Sequence, residues 1–97
     1  MKATAYYILI NIKTANGFES IGKFFIGNNS EAADALFYQL QGSSDVDENT
    51  MLSMELMETV RELPQNIRII SCSLEQLAFN CRIITKDTFK NINLEDL

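Results

Sequence analysis

The sequence predicts an α+β domain with two layers: a four-stranded, mainly antiparallel sheet with helices on one face, in the order ββαββα plus a short C-terminal helix. Three observations carry this. Apolar alternation brackets an Asn16-Gly17 turn signal. A capped stretch of helical periodicity follows it, and then the same order of two strands and a helix returns.

In the first hairpin Tyr6, Ile8, Ile10 and Ile12 alternate with the period of a half-buried strand. Asn-Gly suits a type I′ turn, which needs positive φ at both central residues. With Asn16 and Gly17 as the loop, Ile12 falls opposite Ile21, Ile10 opposite Lys23 and Ile8 opposite Phe25; on the other face Leu9 meets Phe24 and Tyr7 meets Ile26. "GNNSEAADALFYQLQG" then reads as a helix, with Ser30 as cap, Glu31 and Asp34 in the first turn, and Gly42 as stop. Its apolar stripe is Ala33, Leu36, Phe37 and Leu40.

Residues 50–63 fit two periods. Leu52, Leu56, Val60 and Leu63 share a helical face, whereas Leu52, Met54 and Leu56 share a strand face. Pro64 disfavours helix at Leu63, and a second hairpin leaves no strand unpaired, so the strand is favoured with "RELPQN" as its turn. "IRIIS" is the returning strand, and Ser73 with Gln76 makes a capping box for a helix with Leu74, Leu77, Ala78 and Cys81 on its stripe. Two ββα units, about 3–42 and 50–82, suggest a loose internal duplication within one domain spanning 1–97. Thr85 or Asp87 is placed as the cap of the last short helix, pinned by Phe89 and Ile92, and 93–97 is expected to fray.

Composition narrows the class. With 46% hydrophobic and 22% charged residues, the 97-residue chain has ordinary globular usage. Its net charge of −5 is concentrated in residues 45–62, where Asp45, Asp47, Glu48, Glu55, Glu58 and Glu62 face a single base, Arg61. Binding to nucleic acid calls for a basic stripe, the opposite asymmetry, so neither nucleic acid nor an anionic membrane is an expected partner. The apolar run "YYILI" is too short for a signal peptide, which needs about 7–15 apolar residues, or for a membrane span of about 20. The expected location is cytoplasmic.

Chemistry-bearing patterns are sparse. Cys72 and Cys81 flank the predicted second helix, and the chain has no His. Two thiols cannot complete a four-ligand zinc site, and a helix of about eight residues separates its ends by roughly 11–12 Å, beyond disulfide range. Cys72, just ahead of the cap, is a candidate reactive thiol, but without a His base its expected role is packing. Asp45, Asp47 and Asn49 match positions 1, 3 and 5 of a calcium loop, while Thr50 and Leu56 replace the required Gly and Glu. No metal, cofactor or catalytic residue is therefore assigned, and no enzymatic pattern is present. Met51, Met54 and Met57 with Leu52 and Leu56 are read as core filling.

The surplus apolar residues of the first hairpin carry the functional expectation. One face, through Tyr6, Ile8, Ile10, Ile12, Ile21 and Phe25, suffices to pack the helices. The opposite face is polar near the turn, at Asn11, Lys13, Ser20 and Gly22, and apolar beyond it, at Tyr7, Leu9, Phe24 and Ile26. A sheet covered on one side normally keeps its other side polar. These four residues form the candidate interaction patch of a non-catalytic protein-interaction or self-association module, with a homodimer or a protein partner, unless Phe89 and Ile92 fold back over them. The alternative functions are a small-molecule-binding regulatory domain and an enzyme using Cys72.

Overall fold

The computed structural model describes residues 4–96, and of residues 91–96 the backbone only. The elements are β1 (Ala5–Thr14), β2 (Gly17–Gly27), α1 (Ser30–Tyr38), β3 (Leu52–Val60), β4 (Leu63–Ser71) and α2 (Leu74–Asp96). They form one four-stranded antiparallel sheet in the order β2-β1-β3-β4, with two helices, a two-layer α+β fold. Residues 52–60 are strand, and the second hairpin forms.

The first hairpin departs from the expected register. Arg61 and Glu62 are the only non-glycine residues with positive φ among those described, so Asn16 does not adopt the type I′ conformation. Ala15 and Asn16 make the turn instead, and Gly17, with φ 110°, follows as the bulge residue that opens β2. Thr14 Oγ1 accepts from the Asn16 N–H at 3.1 Å and donates to the Gly17 carbonyl at 2.8 Å. Thr14 pairs with Gly17 and Ile12 with Glu19, two positions from expectation, which preserves the facing of every side chain. A second irregularity, between Ile10 and Asn11, leaves Ile21 unpaired and moves the register back by one residue, to one position from expectation, so that Ile10 meets Gly22 and Ile8 meets Phe24. A one-residue slip exchanges the two faces. Phe24 therefore turns to the core, while Ile21 and Phe25, expected there, are 61% and 63% exposed.

The second hairpin closes more tightly than "RELPQN" suggests. Arg61 (φ 53°) and Glu62 (φ 68°) form a two-residue turn between paired Val60 and Leu63. Pro64 lies inside β4 opposite Thr59; because β4 is an edge strand, its missing N–H is tolerated there.

Helix α1 is capped by Asn29 rather than Ser30: Asn29 Oδ1 accepts from the Ala32 N–H at 2.8 Å. The helix ends at Tyr38 with Gln39 as C-cap, before Gly42. Gly42 is required for proximity instead, since a Cβ there would lie 2.7 Å from the Ser71 carbonyl oxygen. The capping box of α2 forms as read, with Gln76 N–H donating to Ser73 Oγ at 3.1 Å and Ser73 N–H to Gln76 Oε1 at 2.9 Å. No Gly or Pro interrupts residues 74–96, and the expected last helix is a continuation of α2 rather than a separate element. The packing expected of Ile92, and Leu97 at the end of the expected frayed segment, lie outside the described residues.

Both helices pack on one face of the sheet. Tyr6, Ile8, Ile10, Met54 and Leu56 meet Ala33, Leu36 and Phe37 of α1 and Ile84 of α2, with Phe24, Ile26, Leu40, Leu77 and Cys81 packed around them. Ile8, Met54, Leu56 and Ile84 are wholly buried, each stabilising by about 1.5–3 kcal/mol relative to exposure. The α2 stripe is rotated from the expected one. Leu74 and Ala78 are exposed, and Asn80 takes the buried position one turn before Ile84.

Candidate functional site

The site that the sequence points to is the sheet face turned away from the helices. Alternation puts Tyr7, Leu9 and Asn11 of β1 there, and pairing extends each into a row across the sheet. Tyr7 lies between Phe25 and Met57; Leu9 lies between Lys23 and Glu55, with Ile69 beyond; Asn11 lies between Ser20 and Ser53. Tyr7 and Leu9 stay in the candidate patch. Phe24 and Ile26 leave it, because both pack against the core, and Lys23 and Phe25 take their place through the slip at Ile21.

Two kinds of surface meet on this face. The end far from the first turn is apolar, with Phe25 exposed and Tyr7, Leu9, Met57 and Ile69 half-buried. Lys23 lies over the Tyr7 ring, its ammonium 4.4 Å from the centroid, a cation–π contact that leaves its donors free for a further partner. Toward the first turn the face is a hydrogen-bonded polar patch. Asn11 Nδ2 donates to Glu55 Oε1 at 2.7 Å and to Ser53 Oγ at 3.3 Å, and Ser20 Oγ donates to Asn11 Oδ1 at 2.8 Å. Asn66 Nδ2 donates to Glu55 Oε2 at 2.5 Å. The Glu55 carboxylate is thus fixed by two amides, and neither it nor Lys23 has an ion pair with another described residue. Phe89, which the alternative to an exposed patch would fold back over this face, belongs to the helix layer and is 68% exposed.

The second candidate region surrounds Cys72. An open cleft of about 550 Å³ lies between the α1–β3 loop and the start of α2, lined in part by Asp47, Asn49, Met51, Cys72, Leu74 and Gln76. Its polar groups are largely occupied by one another. Asp47 Oδ1 accepts from the Asn49 N–H, Thr50 Oγ1 accepts from the Asp47 N–H, and Ser73 and Gln76 cap the helix. Both cysteines are free thiols, and burial pushes both up from the ordinary thiol range. For Cys72 burial outweighs the Asn80 side chain, which pulls the other way. The thiolate needed for nucleophilic chemistry is therefore disfavoured at neutral pH. Among the described residues no group of acidic or Cys side chains is arranged to hold a metal ion, the Asp45–Asn49 segment included.

Asn80, absent from the candidate residues read from the sequence, fixes the layout near this cleft. Wholly buried, it accepts from the Gln41 N–H at 2.7 Å and donates to the Gln41 carbonyl at 2.8 Å, clasping the chain after α1 to the middle of α2. An Asn within an apolar helical stripe was the available signal. Gly22 was the signal for the Ile21 slip, because glycine inside a strand pattern marks a bulge or a close approach.

Fold and surface define a small two-layer α+β domain whose sheet is covered on one side and open on the other. Comparison with protein-family models, with curated proteins and with solved structures finds no match to the chain. No described helix is long and apolar enough to cross a membrane.

Proposed function

We propose that this chain is a non-catalytic protein-interaction module that binds through the open face of its sheet, centred on Tyr7, Leu9 and Phe25. The observation that carries this reading is Phe25, 63% exposed beside Tyr7 on the face opposite the helices. A large exposed aromatic flanked by apolar neighbours and rimmed by polar groups is the composition of an interface core and its rim.

The sheet edges are poorer binding surfaces. β4 carries Pro64 and a bulge at Ile67, and Ser43 pairs with Ser71 at its end; β2 is interrupted at Ile21 and Ile26. These features blunt strand addition and leave the face as the available surface. Raised thiol pKa values weigh against the Cys72 enzyme, and the internally bonded cleft weighs against the small-molecule reading. Two unpaired thiols accord with a reducing, cytoplasmic setting.

A photo-crosslinking phenylalanine analogue placed at Phe25 tests the proposal in the native cell. Irradiation is expected to yield a discrete protein adduct at that position and none at Leu63, an equally exposed apolar residue on the far hairpin turn. Equal yields at both positions would refute the reading.

A further inference from the structure

We infer that the occupant of the open face is a second copy of this chain, stacked face to face about a two-fold axis that runs along β1. The inference deepens the interaction reading above and depends on it. Its basis is the symmetry of charge about Leu9, which has Lys23 on one side in β2 and Glu55 on the other in β3.

Rotation by 180° about a line above β1 and parallel to it exchanges the two sides of that strand. β2 of one copy then lies over β3 of the other, and β1 lies over β1. Each Lys23 faces Glu55 of the second copy, twice by symmetry, across the roughly 10 Å that separates stacked sheets, a gap that both side chains extend into. In the next row Phe25 faces Met57, a favourable aromatic–sulfur pairing, and Tyr7 faces Tyr7. In the row on the other side Ser20 lies over the Asn11–Ser53 pair of the second copy, which is buried and hydrogen-bonded within its own chain, so this row brings no unpaired charge into the contact. The Glu55 carboxylate, already oriented by Asn11 and Asn66, retains lone pairs for an ammonium.

Other placements fail on charge. An axis across the strands through the Leu9 row sets Lys23 on Lys23 and Glu55 on Glu55. An axis between β1 and β3 sets Lys23 on Ile69 and Glu55 on Leu9, burying both charges without partners. The arrangement along β1 overlaps three strands of each copy and leaves β4 overhanging. Three strands at about 4.8 Å spacing and about 30 Å long present roughly 450 Å² per copy, or about 900 Å² in all, the size of a weak and reversible association.

Sedimentation equilibrium of the full chain at low salt, from about 10 µM to about 1 mM, reads the association directly. The wild type is expected to approach twice the monomer mass at the upper end and to dissociate as salt is raised. Lys23→Glu is expected to weaken association at least about tenfold, and adding Glu55→Lys to it to restore most of the loss. If Glu55→Lys disturbs the fold, Glu55→Gln, which keeps an acceptor for the two amides, is expected to weaken association and flatten its salt dependence. A wild type monomeric at every concentration overturns the inference. So does a Lys23→Glu variant that associates like wild type, or a folded double variant that stays as weak as Lys23→Glu. A monomeric wild type that still gives an adduct at Phe25 with a different protein overturns the two-fold dimer alone and leaves the interaction reading standing.

Discussion

Replacing Asn80 by Ala removes a buried side chain whose hydrogen bonds tie the end of the α1 segment to α2. Both ends of its amide are engaged, by the Gln41 N–H at 2.7 Å and the Gln41 carbonyl at 2.8 Å, and the side chain is wholly buried beside Met54 and Cys72. Two hydrogen bonds at about 1 kcal/mol each, plus about 1 kcal/mol for the void, give a loss of roughly 2–4 kcal/mol. For a domain of this size that lowers Tm by roughly 10–25 °C. Urea unfolding followed by far-ultraviolet circular dichroism measures it. Asn80→Asp separates the lost bond from the lost volume. The carboxyl keeps the shape and still accepts from the Gln41 N–H, but only its protonated form donates to the Gln41 carbonyl. Burial holds a carboxyl at this position above its unfolded pKa, so the stability it retains is present at low pH and lost as pH rises through the raised value. Asn80→Asp should therefore lie closer to wild type at about pH 4 than at pH 7, each compared at the same pH. A loss below about 0.5 kcal/mol in Asn80→Ala with an unchanged m-value would refute the clasp.

Opposite outcomes are expected at two neighbouring phenylalanines. Phe24→Asp puts a charge into the core and should cost several kcal/mol in urea unfolding, whereas Phe25→Asp, on the open face, should stay within about 0.5 kcal/mol of wild type. Gly42→Ala forces a methyl against the Ser71 carbonyl and Ile70 and should lower stability by about 1–3 kcal/mol in the same assay. Arg61→Asn puts a residue that tolerates positive φ into the tight turn and should raise stability by about 0.5 kcal/mol, seen as a higher Tm. Alkylation of Cys72 and Cys81 by iodoacetamide should be slower than for a free thiol at neutral pH. Because burial raises both pKa values, the stability from keeping these thiols neutral is present below the unfolded thiol pKa and declines as pH rises through the folded values; urea melts across the alkaline range read this.

The elements were legible because each carries its own local signal. Ser73 and Gln76 form their capping box, Ala33, Leu36 and Phe37 are the buried stripe of α1, and the alternation at Leu52, Met54 and Leu56 proved to be strand. What resisted reading was everything set by one-residue choices between nearly equal local states. Asn16-Gly17 serves a type I′ turn and a turn closed by a glycine bulge equally well, and the chain uses the second. Ser30 and the adjacent Asn29 are both good caps, and the structure selects Asn29. The Leu74 and Ala78 stripe fails because α2 runs on without a breaker, and Ile84, deep in the core, sets its rotation. In the candidate patch, Tyr7 and Leu9 were legible because they belong to a strand without irregularities against β3. Phe24 and Ile26 were misplaced because they lie beyond a bulge.

That bulge links fold to surface. Were β2 regular past Ile21, Phe25 would face the core, and Phe24 and Ile26 would lie outward beside Tyr7 and Leu9, giving a greasier face on which Glu55 is the only charge next to Leu9. The extra residue at Ile21 moves Phe24 inward, where it packs against the core, and brings Lys23 into the row that Glu55 occupies on the other side of β1. Gly22 lets this happen: a Cβ there would lie 3.3 Å from Ile10 Cδ1, tight against the side chain it pairs with. A single irregularity next to a glycine thus turns an apolar block suited to nonspecific association into a mixed face with one positive and one negative group about a central leucine. Apolar area contributes adhesion without direction; the placement of Lys23 and Glu55 sets what the face accepts and in which orientation.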